Sequence, residues 1–394
     1  MVRSPLGVFV VYFSGLLQGL TVVAFPASGT VLREMHGLSN EAYGSIFLPQ
    51  TALTIVGSVF GGSLAAKLGL RWLLVLACLA SALSQVFLLS TAFFDSEFAL
   101  PLLLAGTAAM GLGFGVAAAP LNAYPGRLFP ARPDPALVAL HTMLGAGFSL
   151  GPLMVSGLVA ADAWSTFPVL VLVANVVVGG LAVVASLPSS PAAEQGGGAR
   201  AAVSWGPVLL FGLVAVLYAF AEGTFSNWAS IFLHDARGVP ESAAALAISG
   251  FWGALTVGRL LVSALVARVR SELIWLVLPV GMALTFLLLP LAQNAVSGVG
   301  LFILAGLCCS AFFPLTVAIA SKRFPGHEAL VSSMLIAALM VGVGAGSFAL
   351  GAFRASASFD LIYRASAVYP IAALLLGLLL VTTRRPGASK VMDT

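Results

Sequence analysis

Charge is what this sequence has least of. Only 8% of its 394 residues are Asp, Glu, Lys or Arg, where soluble domains carry about a quarter, so ionic groups are too few to solvate a globular surface. A water-soluble fold is excluded. Cysteine is scarce too: Cys78, Cys308 and Cys309 sit in apolar runs without metal-ligand spacing, which argues for neither a disulfide framework nor a thiolate metal site. Also missing are a glycine loop with its phosphate-binding Lys, a His-Glu metal motif and any polar stretch long enough to fold separately. The strings GLGFG at 111–115 and GVGAGS at 342–347 lie inside apolar runs with no strand before them, and read as packing or hinge elements. These absences argue against an enzyme, and neither cofactor nor metal is expected.

What is present is hydrocarbon: 60% of residues are hydrophobic and the mean hydropathy is +1.07. Twelve apolar stretches of roughly 20 residues or more, each sufficient for about 30 Å of bilayer core, run over 7–30, 42–66, 71–93, 98–123, 136–160, 166–187, 206–233, 242–267, 273–292, 297–320, 329–353 and 361–382. They are continuous and not alternating, which predicts helices and not barrel strands. The expectation is an all-α membrane protein with twelve transmembrane helices.

Basic residues are retained on the cytoplasmic side of membranes. With the N-terminus inside, 13 of the 18 fall on that side, including Arg3, Lys67, Arg71, Arg268 and Lys390. Only Arg33, Arg237, Arg354 and Arg364 lie outside, and Arg259 remains within a helix. Both termini are therefore expected in the cytoplasm, with an uncleaved first helix held by Arg3. The net charge of +4 follows from this asymmetry, so no nucleic-acid partner is inferred.

A stretch dense in Pro, Ser, Ala and Gly, LPSSPAAEQGGGARAAVSW at 187–205, interrupts the hydrophobic pattern and reads as a linker. It predicts two six-helix bundles, 1–187 and 206–394, joined by 188–205. The halves repeat: Gly57, Leu64 and Lys67 match Gly258, Leu265 and Arg268 at an offset of 201. RLFPARPDPALV at 127–138 is likewise similar to KRFPGHEALV at 322–331.

On these features the whole chain resembles the major facilitator superfamily. GSLAAKLGLR, with Gly62, Leu64, Ala65, Lys67, Gly69 and Arg71, is similar to the family's loop signature G-x-L-A-D-R-x-G-R-K between the second and third helices. The departure is Ala66, where the family has an Asp that helps lock the two halves together on the cytoplasmic side. The resemblance implies gating by Lys67, Gly69, Arg71 and Arg268, although basic residues there also act as topology anchors. GAGFSLGPLMVSG at 145–157 is similar to a glycine-proline pattern of antiporters, but its plainer reading is ordinary close helix packing. Glu222-Gly223, Asn227-Trp228 and GVPESAAALAISGFWGALTVGRLL at 238–261 resemble the fucose permease-like branch. Fucose permease couples protons through an Asp on its first helix and a Glu on its fourth; neither occurs in 7–30 or 98–123, so that scheme does not carry over.

The fold implied by the resemblance lines a midplane cavity with the first, fourth, seventh and tenth helices. On the first, Ser14, Gln18, Thr21 and Ser28 share a helical face; on the seventh, Tyr218, Glu222, Ser226 and Ser230 recur every four residues. The fourth and tenth offer Asn122, Ser310 and Thr316. A small, mainly neutral polar solute is expected to bind Gln18, Thr21, Phe25, Tyr218, Glu222, Ser226, Asn227 and Trp228. The plainer reading of any one hydroxyl is a bond to its own backbone, and of Trp228 a place in the interfacial aromatic belt. His141, Asn175 and Gln85 are read as helix-joining or interfacial residues, and Arg259 as structural or gating.

Glu222 is the one acid of 14 expected inside the hydrocarbon. Desolvation disfavours its carboxylate, so it is expected to be neutral in a closed cavity and ionisable when water enters, as a proton carrier must be. The alternative is a permanently protonated residue that hydrogen-bonds a neighbouring helix. The leading expectation is thus a monomeric, multi-pass transporter of a bacterial inner membrane, driven by protons and carrying a small, sugar-like solute. A proton-coupled drug or metabolite exporter is the alternative, and a membrane sensor or lipid-handling protein on a transporter scaffold comes from a different class.

Overall fold

The computed structural model describes residues 4–131, 133–188, 205–266, 268–324 and 327–383. Among the described residues, twelve helices are long and apolar enough to cross a membrane: Pro5–Ala27, Asn40–Gly61, Leu70–Ser90, Ser96–Leu128, Ala136–Ala160, Thr166–Val184, Trp205–Asn227, Glu241–Leu265, Ser271–Leu291, Ala295–Arg323, Met334–Phe353 and Phe359–Thr382. We refer to them as the first to twelfth spans. Among the described residues there is no strand, and the fold is all-α, as the continuous apolar runs predict. Most of the linker, 189–204, lies outside the described residues.

The first span begins where the Ser4 side chain accepts a bond from the Gly7 backbone N–H at 3.2 Å, followed by Pro5, whose missing N–H costs nothing at that position. Several spans are broken. The run predicted at 206–233 is two helices, Trp205–Asn227 and Ala229–Arg237, with a bend at Trp228. The first span stops likewise at Ser28, before a short helix Gly29–His36. Both short helices end at a glycine in the left-handed region, Gly37 at φ 62° and Gly238 at φ 63°, a conformation that costs a residue with a Cβ. The offset between them is again 201.

The packing follows the repeat. In the first half the first span packs on the fifth, the second on the fourth and the third on the sixth; in the second half the seventh packs on the eleventh, the eighth on the tenth and the ninth on the twelfth. The halves meet where the second span touches the eleventh and the fifth touches the eighth. Small residues allow the closest approaches: Gly19 and Gly147 face one another across the first and fifth spans, where a side chain on either would drive into the other's backbone. Gly151 packs on Val23, whereas Gly157 has open space beside it.

Candidate functional site

The connections divide into two faces: a linker face, with the 2–3 and 8–9 connections and the linker ends, and a far face, with 28–40, 161–165, 228–241 and 354–359. On the expected orientation the linker face is cytoplasmic.

A buried aromatic and amide layer joins the halves near the far face. The Tyr43 hydroxyl donates to the Asn227 carbonyl at 3.2 Å, and its ring meets Trp228 edge-on at 5.2 Å. The Asn227 amide donates to Ser347 Oγ at 2.7 Å, the Trp228 indole N–H to the Ser347 carbonyl at 3.2 Å, and Ser230 Oγ to the Pro26 carbonyl at 3.3 Å. Tyr43 and Trp228 are fully buried. Pro26 and Asn227 are repeat equivalents at offset 201; each sits at a helix break, and the freed carbonyl of each accepts a hydroxyl from the opposite half.

Charges follow the same reciprocal rule above this layer. Arg33 pairs with Asp235 at 2.8 Å and Glu34 with His234 at 2.5 Å, while offset 201 maps Arg33 onto His234 and Glu34 onto Asp235. The two pairs are thus one contact repeated by a pseudo-two-fold axis, as in the self-complementary interface of a dimer. Glu34 also hydrogen-bonds Glu241, which does most to hold its carboxyl below the usual carboxylate range; His234 and Arg33 act the same way, against the effect of burial. Further down, Ser156 Oγ donates to the Ser242 carbonyl at 2.5 Å, Ser249 Oγ to the Ser149 carbonyl at 2.9 Å, and Phe148 packs on Trp252 at 4.5 Å. On the linker face, Arg71 bonds the Val183 and Ala185 carbonyls, Tyr12 the Ala136 carbonyl and Arg323 the Leu380 carbonyl, each within its own half. The molecule is closed on the far face.

Beneath the seal lies a charged group. Tyr218 is buried, its hydroxyl donates to the Cys309 carbonyl at 3.0 Å, and its ring stacks on Phe312 at 5.3 Å. Glu222, one turn along the same span and half-buried, interacts with the Tyr218 hydroxyl and with the charge of Arg259. Arg259 is exposed, and its Nε donates to the Ser310 carbonyl at 3.0 Å. His141, from the fifth span, also feels the Arg259 charge. An acid, a base and a histidine drawn from both halves thus lie within one another's electrostatic reach, with Arg259 and His141 exposed.

The polar stripe of the first span finds its partners elsewhere. Gln18 donates to Ser81 Oγ at 3.1 Å, Ser14 touches Cys78 Sγ at 4.0 Å, Thr21 bonds the Leu17 carbonyl, Ser28 accepts from the Trp164 indole, and Phe25 is buried against Gly106. In this conformation Gln18, Ser14, Ser28 and Phe25 meet neighbouring spans and Thr21 bonds its own, because a shared helical face does not reveal which neighbour it meets. On the seventh span Ser226 bonds Asn227 at 3.4 Å, and the break at Trp228 moves Ser230 onto the next helix. Trp228 is wholly buried in the seal instead of standing in an interfacial belt. Asn122, Ser310 and Thr316 bond the carbonyls of their own spans, as does Asn175. Gly69 (φ 82°) turns the 2–3 connection, Lys67 and Arg268 are exposed on the linker face, and the side chain of Ala66 lies outside the description. His141, read as interfacial, is exposed and lies within the field of Arg259 from the other half.

Sequence reasoning missed Tyr43, Ser347 and the four charges at 33, 34, 234 and 235. Applying offset 201 to the far-face connections would have placed RE beside HD and exposed the crossed charges; nothing comparable marks Tyr43 or Ser347.

The sequence model of the Major Facilitator Superfamily matches residues 6–304 and 211–392. An "Uncharacterized transporter y4wD" from Sinorhizobium fredii is 25% identical over 355 residues, covering 89% of this chain and 90% of the relative. Among solved structures, the nucleoside transporter NupG superposes with a TM-score of 0.77 at 14% identity, over 95% of this chain and 99% of that one. A D-xylose-proton symporter superposes with a TM-score of 0.76 at 15% identity, over 95% of this chain and 96% of that one. At such identities these two likenesses speak to the fold.

Proposed function

Because the chain belongs to the Major Facilitator Superfamily and is a multi-pass membrane transporter, we propose that it moves a small polar organic solute by proton-coupled alternating access, with Glu222 carrying the proton. In this reading the units 1–187 and 206–394 rock about the central compartment in a bacterial inner membrane, with both termini inside and the protein acting as a monomer. Lys67, Gly69, Arg71 and Arg268 belong to the closing of the linker face. The observation that carries the reading is the position of Glu222: a carboxyl beneath a closed seal, beside Tyr218 and within the field of Arg259. An ionisable group there changes its hydration as access alternates, which is what lets it take a proton from one side and release it to the other.

The expected hydrogen-bonding groups for a sugar-like solute, Gln18, Thr21 and Ser226, in this conformation bond other protein groups. The reading is therefore kept at small polar solutes. The exporter alternative uses the same acid with the opposite solute direction; the fifth-span glycines that suggested it pack against the first span at Gly147 and Gly151. The test is purified protein in liposomes under an imposed pH gradient, presented with a panel of labelled polar solutes. Accumulation abolished by a protonophore is expected. Accumulation that ignores the gradient contradicts proton coupling, and absence of any solute or proton movement favours a sensor or lipid-handling role.

A further inference from the structure

We propose, building on the transport reading, that Arg259 and His141 bind an anionic group of the solute, so that the transported class is small organic carboxylates.

The first argument is register. Gly145 of the fifth span and Thr256 of the eighth touch across the halves. His141 lies one turn from Gly145 and Arg259 about one turn from Thr256, both towards the linker face, so each continues the helix face that meets the opposite half. Both are exposed. The spans therefore part just below their contact, and the two basic side chains face the opening from opposite halves.

The second is the guanidinium itself. Side chains on a helix tilt towards its N-terminus, and for the eighth span that end is on the far face, so Arg259 reaches up towards Glu222. Only its Nε is engaged, by the Ser310 carbonyl at 3.0 Å; Nη1 and Nη2 have no protein bond among the described residues. Two parallel N–H donors are the geometry that receives a carboxylate.

The third is charge balance. The titratable and charged groups around Glu222 are Tyr218 on its own span, Arg259 on the eighth, Cys309 on the tenth and, through Arg259, His141 on the fifth. With Glu222 ionised, Arg259 is offset. Once Glu222 takes a proton, one positive charge stands uncompensated in a compartment that must close away from water, which is unfavourable in a low-dielectric interior. A carboxylate restores neutrality, so proton and anion favour each other's binding. A neutral solute offers no such compensation.

The test pairs gluconate with glucose and lactate with lactamide, together with a panel of labelled two- to seven-carbon carboxylates, using the full chain. Stabilisation against heat and isothermal titration in two buffers report binding and proton uptake. We expect at least one carboxylate to bind, its neutral counterpart to bind at least about tenfold more weakly, and about one proton to be taken up per anion near neutral pH. Arg259→Gln should weaken the anion by roughly 10- to 100-fold, the loss of a charged hydrogen bond; Arg259→Lys, keeping charge but not the two-pronged edge, should lose less, and His141→Gln should weaken it by a few-fold. Glu222→Gln should bind without proton uptake. Where Arg259→Gln fails to fold, the proton count on wild-type protein and the His141→Gln affinity still decide. Equal binding of acid and neutral partner, or proton-coupled accumulation of a neutral solute undiminished by Arg259→Lys, overturns the anion site while leaving the transport reading intact. A carboxylate that binds as described but moves no protons in liposomes overturns the transport reading and keeps the site; no binding by any carboxylate overturns the site.

Discussion

At the scale of residues, the far face is held by two kinds of contact of unequal weight. The pairs Arg33–Asp235 and Glu34–His234 are partly solvated, and exposed pairs contribute about 0.2–1 kcal/mol each. Trp228 is fully buried, with Tyr43 against it from the opposite half and Phe359 and the Ser347 carbonyl beside it in its own, and truncating such an aromatic costs about 3–5 kcal/mol of folding stability, of which the Tyr43 share bears on closure. The contacts of Tyr43 with Trp228 and the Asn227 carbonyl, buried where the ion pairs are solvated, therefore dominate closure, and the charges tune it. Trp228→Ala should shift the protein strongly towards a state open on the far face, whereas Glu34→Gln should shift it only a few-fold. Glu34 is held below the usual carboxylate range, so its contribution to closure is full above the ordinary carboxylate pKa and is lost as pH falls through the lowered value. Spin labels at Met35 and Ala236 should report a growing long-distance population on acidification, already present near neutral pH in Glu34→Gln. A distance distribution unmoved by either substitution contradicts this ranking.

At the scale of elements, the number and kind of helices were legible because a bilayer demands about 20 consecutive apolar residues. The breaks were not. The bends at Ser28 and Trp228 depend on where a carbonyl finds a partner across the halves, the Pro26 carbonyl on Ser230 and the Asn227 carbonyl on Tyr43, which hydropathy averages away. Glu222 was legible as an acid in hydrocarbon; the partner that Gln18 meets, Ser81 of the third span, was not. The short helices that follow the breaks end at Gly37 and Gly238 in the left-handed region, where a Cβ costs about 1–2 kcal/mol. Gly37→Ala and Gly238→Ala should each lower thermal stability by that amount. Neither side chain would meet an atom within 4 Å, so crowding cannot explain such a loss.

At the scale of the whole molecule, the sequence repeat becomes a physical pseudo-two-fold axis, with crossed charges at 33/235 and 34/234 and exchanged hydroxyl bonds at 26 and 227. An axis of this kind relates the two halves while keeping each face to itself, so the far-face seal is built from matched contacts contributed by both. The basic residues predict that this seal lies on the outer side: a cysteine at Ser96, exposed on the far face, should label with an impermeant reagent in intact cells, and one at Gln195, outside the described residues, should not. Labelling at Gln195 reverses the orientation. The central claim, that Glu222 couples a proton to solute movement, is tested most directly by Glu222→Gln in liposomes, with exchange of solute at equal concentrations measured beside accumulation under a pH gradient. The account predicts that exchange persists while gradient-driven accumulation and solute-coupled proton flux are abolished. Full accumulation by Glu222→Gln would contradict it and leave Glu222 as a structural hydrogen-bonding residue.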